Sequence, residues 1–443
     1  MTKKKIIIIG AGNAGLSAYE ILAKESNLCQ VTIISEESYL RYCPTGTDSL
    51  ISDLIGLYPP YGLALSPLLM SGQANADKTL TEDLDIASSD QNQIIFKNKA
   101  TKIMPEEKKV LLEDGNALDY DALIICTGAK SADLPIVGKE AGNVFGLRTQ
   151  SEIERIMAAA KKSKGAMVIG AGAAGIETAL RLSKQGLSVS IVEKADQVLP
   201  ESFDKEAAKI IQSLLEEKGV DFYLGTGIAG INRDEAGNVS SVTLVNEKEI
   251  NCNLIVIAVG AESNTDIVKD SGIEVNRGIL VNDRMETNCK NIYAAGDVAE
   301  ARGFLLNQKT VLPILADAKE QGRIAAMNTL KLDAVPEYEG GLPVNLVTLN
   351  GNTMFSMGEV IKTDAYIAYT YASPEKSDYL KLVFDNDQLI GAIGVNHNLP
   401  VGIIRKMILN RIHLNHFKDM LIEKPNVPDV WINTALAKLW QTN

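Results

Sequence analysis

Two stretches of this chain space their glycines so that a main chain can receive a pyrophosphate. They are Gly10, Gly12 and Gly15 in IIIIGAGNAGLSAYEILA, and Gly170, Gly172 and Gly175 in AMVIGAGAAGIETALRL. In each, an apolar β-branched run ends at the first glycine and a helical pattern opens after the second. The first glycine permits a tight turn, the second lets phosphate oxygens approach the backbone, and the third lets the helix pack closely on its strand. The helix N-terminus then offers unpaired amide N–H groups and a positive dipole end to the anion. Asn13 and Ala14 in one copy, and Ala173 and Ala174 in the other, are therefore candidate contacts. A second strand follows each helix, VTIISEE or VSIVEK, and its far end carries an acid, Glu36 or Glu193, suited to a ribose diol. A lone G-x-G-x-x-G can be a turn and nothing more. Two copies, each with strand, helix, second strand and acid, imply two dinucleotides and redox chemistry passed between them.

The rest of the chain must position these two sites. A length of 443 residues suggests about three domains. The 44 basic residues against 56 acidic ones disfavour nucleic acid or an anionic membrane as the main partner. The longest apolar runs, such as IIII and LIVIAV, are strand-sized, so no membrane span is expected. The lysines of MTKKK read as a solvated lead-in to the first strand, and the expected location is cytoplasmic. Cys29, Cys43, Cys126, Cys252 and Cys289 are scattered without a C-x-x-C pair, which argues against a disulfide framework, an iron–sulfur site or a dithiol within this chain. His413 and His416 lie three apart with no cysteine or acid cluster beside them, so no metal is expected.

Residues 1–53 read as strand, helix, strand and a loop, YLRYCPTGTDSL. The apolar, turn-rich opening of 54–93 suits either a loop over an active site or partner surface, or a surface insertion. Short strands with a turn at Asp114-Gly115 precede YDALIICTGAK, a buried strand ending in Thr127 and Gly128. The second fingerprint's unit closes on LIVIAVGAESN, and the likeness of IAVGAE to ICTGAK supports an internal duplication. NIYAAGDVAE and a helix, ILADAKEQGRIAAMNTL, come next, and strands and helices of a different pattern follow Pro336. The expected fold is α/β, with two Rossmann-like, three-layer dinucleotide-binding domains and a C-terminal α+β domain of the dimerisation type. The expected boundaries are 1–149 with 276–335 for the first dinucleotide domain, 150–275 for the second, and 336–443 for the third.

In this order the motifs resemble those of the pyridine nucleotide–disulfide oxidoreductase superfamily of FAD flavoproteins, closely over 1–335 and more loosely over 336–443. The resemblance implies FAD at the first fingerprint and NAD(H) at the second. YDALIICTGA is similar to a family strand element, with Cys126 where alanine is usual, and this places Thr127 and Gly128 at the FAD. IYAAGDVAE matches the second FAD motif. There Gly296 and Asp297 would meet the ribityl chain, and the next helix, with Gln321, would point its N-terminus at the flavin. Glu193 would bond the adenosine 2′-OH and repel a 2′-phosphate. With only Lys194 after it and no arginine in its place, NADH is expected over NADPH. Gly260 would lie at the nicotinamide end. Glu177 matches a glutamate near the nicotinamide–flavin contact, and an ordinary helix-surface residue is its alternative. Many relatives carry the ribose acid where this chain has Ser35. The strand end ISEE looks more like the nitrite-reductase branch, which assigns the ribose to Glu36.

The electron acceptor is less determined. Disulfide reductases carry a cysteine pair in the helix after SYLRYCPTG, and here the second cysteine is missing. Tyr39 and Arg41 fit the Y-x-R pattern of ferredoxin, rubredoxin and nitrite-reductase flavoproteins. The coenzyme A-disulfide reductase loop is matched less well, since Cys43 comes two residues early. A thiol between Arg41 and a helix N-terminus could be redox-active, or Cys43 could merely pack beneath the flavin. The terminal His-x-x-x-x-Glu pair of two-cysteine reductases is absent, with NLPVG following His397. The expectation is an FAD-dependent NADH:acceptor oxidoreductase, a homodimer or a subunit of a larger redox complex, passing electrons to a redox protein or partner subunit. The alternatives are a single-cysteine enzyme reducing a small disulfide, a persulfide or dioxygen, and a flavoprotein whose NADH state governs its binding to partners.

Overall fold

The isoleucine- and valine-rich runs before the two glycine fingerprints form the central strands of two parallel sheets. A computed structural model describes residues 2–37, 92–305, 308–332, 335–349, 352–361, 363–373, 377–397, 399–415, 417–425 and 427–439. Arg41 and Cys43, and the 54–93 segment apart from its last two residues, lie outside the described residues. The helices described are α1 (Asn13–Lys24), α2 (Gln150–Ala160), α3 (Ala173–Lys184), α4 (Lys205–Glu216), α5 (Leu315–Leu330), α6 (Val401–Leu409), α7 (Phe417–Glu423) and α8 (Pro428–Leu439). The chain divides into two units.

The first unit draws on the described residues within 2–37, 92–130 and 261–342. Its parallel sheet runs in the order Ile292–Ala294, Ala122–Ile125, Lys4–Ile9, Cys29–Ile34, Gln93–Ile95. Ile6 to Ile9 are at most 4% exposed, as a central strand covered on both faces requires, and this is why the run does not alternate. A three-stranded antiparallel sheet of Ala100–Met104, Lys109–Leu112 and Ala117–Asp119 sends Ile103, Val110 and Leu112 into the same core. Helices α1 and α5 pack on one another through small residues.

The second unit draws on residues 131–260 and on everything described after Pro343. Its parallel sheet has the order Val220–Tyr223, Ser188–Val192, Gly165–Ile169, Leu254–Ile257, Val144–Phe145. An antiparallel sheet of Ile228–Arg233, Val239–Leu244 and Glu249–Asn251 accompanies it. Helix α2 begins with a capping box, in which Thr149 Oγ1 accepts from Glu152 N and Glu152 Oε2 accepts from Thr149 N. The C-terminal segment forms an antiparallel sheet in the order Val344–Leu349, Asn352–Gly358, Gln388–Val395, Asp378–Asp385, Ile367–Ser373, with α6, α7 and α8. The fold is thus α/β with two dinucleotide-binding cores and a C-terminal α+β segment. Among the described residues no helix is long and apolar enough to cross a membrane.

One carboxylate ties the C-terminal sheet to the second parallel core. Asp204 caps α4 by accepting from Ala207 N at 3.1 Å, accepts from the Tyr379 hydroxyl at 2.6 Å, and lies 3.2 Å from Lys381 Nζ. Lys381 is buried in its sheet and also donates to the Val360 carbonyl at 3.0 Å. A buried ammonium needs such partners, because an uncompensated charge there costs far more than the pair returns. Val347, Met354, Ile393 and Val395 share a core with Val168, Ile191 and Ile211, so this polar junction sits beside continuous apolar packing.

Candidate functional site

The strand Lys4–Ile9 must turn sharply into α1, and three glycines make that possible. Gly10 has φ +106°, and a Cβ there would lie 2.1 Å from the Cys126 carbonyl oxygen. A Cβ on Gly15 would lie 2.0 Å from the Gly10 carbonyl oxygen, so this glycine sets how closely helix and strand approach. Gly12, the N-cap of α1, is different: a Cβ there would meet no atom within 4 Å. No side chain caps α1 at Gly12, and the first N–H groups of a helix have no partner within the helix. A cradle of main-chain donors at a helix start fits a pyrophosphate. At the end of the neighbouring strand Ser35 turns inward, 5% exposed, and its hydroxyl accepts from Glu37 N. Glu36 instead stays largely exposed beside Lys99, 3.3 Å from the ammonium.

The second half of this site arrives from residues 261–342. Thr127 Oγ1 donates to the Asn264 carbonyl at 2.8 Å, and the Asn264 amide donates back to the Thr127 carbonyl at 2.9 Å. Asn264 N also donates to the Gly128 carbonyl. Gly296, with φ +81°, donates its N–H to Gln321 Oε1 at 2.8 Å. Its missing side chain matters, because a Cβ there would come 3.0 Å from the Ala14 Cβ. Asp297 is partly exposed, and its carbonyl accepts from the Ser263 hydroxyl at 2.7 Å. The structure thus brings Gly10, Gly12, Ala14, Gly15, Thr127, Gly128, Gly296, Asp297 and Gln321 onto connected elements of one unit.

The second unit repeats the first fingerprint's local geometry. Gly170 has φ +105°, and a Cβ on it would lie 2.6 Å from the Ala258 carbonyl oxygen. The Gly175 Cβ would lie 2.0 Å from the Gly170 carbonyl oxygen, whereas at Gly172 the space is open. Glu193 reaches back into this loop: Oε2 accepts from Ala171 N and Oε1 from Ala195 N, each at 2.9 Å. An ionised carboxylate has lone pairs to spare beyond these two bonds, so it can still accept from a hydroxyl. Glu177 lies on α3, and burial raises its pKa against the opposing pull of Arg181. Gly260 ends the strand Leu254–Ile257 region with φ +110° and open space where a Cβ would stand.

Sequence reading missed Ser263 and Asn264, which clamp the return crossing into the first unit. The repeat of ICTGAK in IAVGAE was the available signal, since it marks where two parallel strands end in like turns. It also missed Asp317 and Tyr338, a buried pair in and beyond α5. The described cysteines hold no activated thiol. Cys29, Cys126 and Cys252 are buried, and desolvation pushes each thiol up, Cys252 to about 12. Cys289, which is half-buried, is raised for the same reason.

Known proteins share this organisation. A family profile described as pyridine nucleotide-disulphide oxidoreductase matches residues 4–328, and one described as the rubredoxin NAD+ reductase C-terminal domain matches 343–412. NADH-dependent phenylglyoxylate dehydrogenase subunit epsilon of Aromatoleum evansii is 29% identical, covering 95% of each chain. Nitrite reductase [NAD(P)H] of Bacillus subtilis (strain 168) is also 29% identical, over 89% of this chain and 46% of that protein, so this chain spans about half of its length. Among solved structures, a chain of the covalent putidaredoxin reductase–putidaredoxin complex superposes with a TM-score of 0.83 at 21% identity, covering 99% of this chain and 100% of that one. That likeness bears on the fold alone. With its two glycine cradles, its Gly-Asp turn and a profile match over most of its length, the chain belongs to the pyridine nucleotide-disulphide oxidoreductases.

Proposed function

We propose that this flavin- and NADH-dependent oxidoreductase delivers its electrons to a protein, either a small redox carrier or another subunit of a complex. The observation that carries this is the end-to-end match to a dehydrogenase subunit, 95% of both chains. The C-terminal match to a rubredoxin reductase domain points the same way. FAD, when bound, supplies the redox chemistry; the chain supplies binding, orientation and electrostatics. In this reading Gly10, Gly12, Asn13, Ala14, Gly15, Glu36, Arg41, Thr127, Gly128, Gly296, Asp297 and Gln321 hold FAD. Gly170, Gly172, Ala173, Ala174, Gly175, Glu193 and Gly260 hold NADH, with Glu177 toward the nicotinamide. Thiols that burial keeps protonated make a cysteine relay through the described residues unsuitable. The scattered cysteines suit a reducing cytoplasm, and the assembly is a homodimer or a hetero-complex.

Cys43→Ser tests the acceptor. The expected result is unchanged turnover of NADH with ferricyanide and with iron–sulfur proteins of the ferredoxin and rubredoxin type. If the variant still lets NADH reduce the flavin but loses the native reaction, electrons leave through the Cys43 thiol and the protein-acceptor reading fails. Flavin reduction that stalls after one turnover in the wild type, with every acceptor, would instead favour an NADH-responsive binding module.

Glu193 makes a second prediction. Glu193→Ala is expected to lower the ratio of kcat/KM for NADH over NADPH by about tenfold or more, because a charge-assisted hydrogen bond to the ribose is lost and a repelling charge removed. The two backbone bonds to Ala171 and Ala195 are lost as well, so a melting curve accompanies the kinetics. An unchanged ratio in a folded variant would mean that this carboxylate does not read the ribose.

A further inference from the structure

Helix α5 carries a buried carboxylate that the assignments above leave unused. Asp317 sits in its first turn, 7% exposed, and the Tyr338 hydroxyl donates to its Oδ1 at 2.8 Å. Tyr338 is itself buried, and the Gln321 amide adjoins the same phenol. Gln321 Oε1 in turn accepts from Gly296 N, so buried polar groups run from the Gly296–Asp297 turn to Asp317. Gly341 makes room for the pair, since a Cβ there would lie 2.9 Å from the phenol oxygen and 3.3 Å from Asp317 Oδ1. Burial and the neighbouring Asp317 carboxyl together hold the Tyr338 phenol protonated.

A bare helix N-terminus is a positive end, worth roughly half an elementary charge. The α5 terminus has no side-chain cap at Ile314, and an acidic residue, Asp317, stands in its first turn instead. We propose that Asp317, held in place by Tyr338, is a positioning residue that keeps the flavin's reduction potential low by offsetting the α5 dipole. Negative charge gained by the ring on reduction is then less stabilised than an uncompensated helix terminus would make it, and onward transfer of electrons is favoured. This rests on FAD lying at the Gly296–Asp297 turn and the α5 terminus.

The test is Asp317→Asn, which keeps an oxygen for Tyr338 and removes the charge. Equilibration of the holoenzyme with a reference dye, or with fixed ratios of NADH to NAD+, is expected to shift at least about tenfold toward reduced flavin, equivalent to about 30 mV for a two-electron couple. Asp317→Glu should return the equilibrium to within about threefold of wild type. Should the Asn variant fail to fold, Asp317→Ser, neutral and smaller, makes the same measurement. A folded neutral variant that binds FAD with native affinity and leaves the equilibrium unmoved overturns the proposal and makes the pair a packing device. Loss of the underlying FAD assignment reads out separately, as native FAD affinity in Gly12→Val.

Discussion

Gly12→Val is expected to yield a folded chain that no longer holds FAD, and Gly172→Val a chain that keeps FAD and no longer accepts hydride from NADH. Both glycines are helix N-caps in extended backbone, with φ −81° and ψ −172° at Gly12 and φ −72° and ψ 176° at Gly172. Any L-residue adopts that conformation, and at neither position would a Cβ meet a neighbour within 4 Å. The fold therefore tolerates the substitutions. The open space is also where a pyrophosphate must come to reach the helix amides, and a valine fills it. FAD affinity of the first variant should fall by on the order of 100-fold, about 2.7 kcal/mol. The second should be purified yellow, be reduced normally by dithionite, and show a KM for NADH raised by a similar factor. If Gly172→Val lost FAD while Gly12→Val retained it, the two sites would have to be exchanged. If both variants behaved as wild type, neither cradle would be a dinucleotide site.

Much of this was legible because the first level of the fold is written in local rules. A strand that turns into a helix within three residues needs glycine at positions fixed by sterics. The observed contacts at Gly10, Gly15, Gly170 and Gly175 are all clashes with backbone oxygens or positive φ values. A central parallel strand is apolar on both faces, so IIII and MVI announced themselves. The choice between Ser35 and Glu36 was harder, since one residue of register reverses which side chain turns inward. The structure buries Ser35 and leaves Glu36 exposed at the strand end beside Lys99.

What the sequence hid are pairs of polar residues that only the tertiary fold brings together. Asp204 and Lys381 are separated by most of the second unit, and each alone reads as an ordinary surface charge. Their meeting also explains why a lysine can stand inside the strand Asp378–Asp385. Asp317 looks like a first-turn helix acid and Tyr338 like a loop aromatic until burial makes each the other's partner. The α1–α5 contact was hidden for another reason. Small residues in a helix pattern, such as Ala14, Ala318 and Gly322, carry no hydrophobic stripe, yet they let two backbones meet.

Gly322→Ala turns that contact into the substitution with the largest expected cost to stability. Inside a helix, alanine ordinarily gains about 1 kcal/mol over glycine. Here its Cβ would stand 2.1 Å from the Ala14 carbonyl oxygen, 2.9 Å from the carbonyl carbon and 3.1 Å from Cα. These are backbone atoms, so no rotamer change relieves them. Helix α1 cannot retreat either, because Gly15 already sits against the Gly10 carbonyl oxygen on its other side. Helix α5 must move instead, carrying Gln321 away from Gly296 N and Asp317 with it. Overpacking of this kind costs about 3 kcal/mol, which outweighs the propensity gain and lowers the melting temperature by roughly 4–8 °C net. FAD affinity should fall in parallel. Adding Ala14→Gly should not rescue the variant, since the obstacle is the Ala14 main chain and not its methyl group. A melting temperature equal to or above wild type would show that α1 and α5 lie further apart than these contacts require.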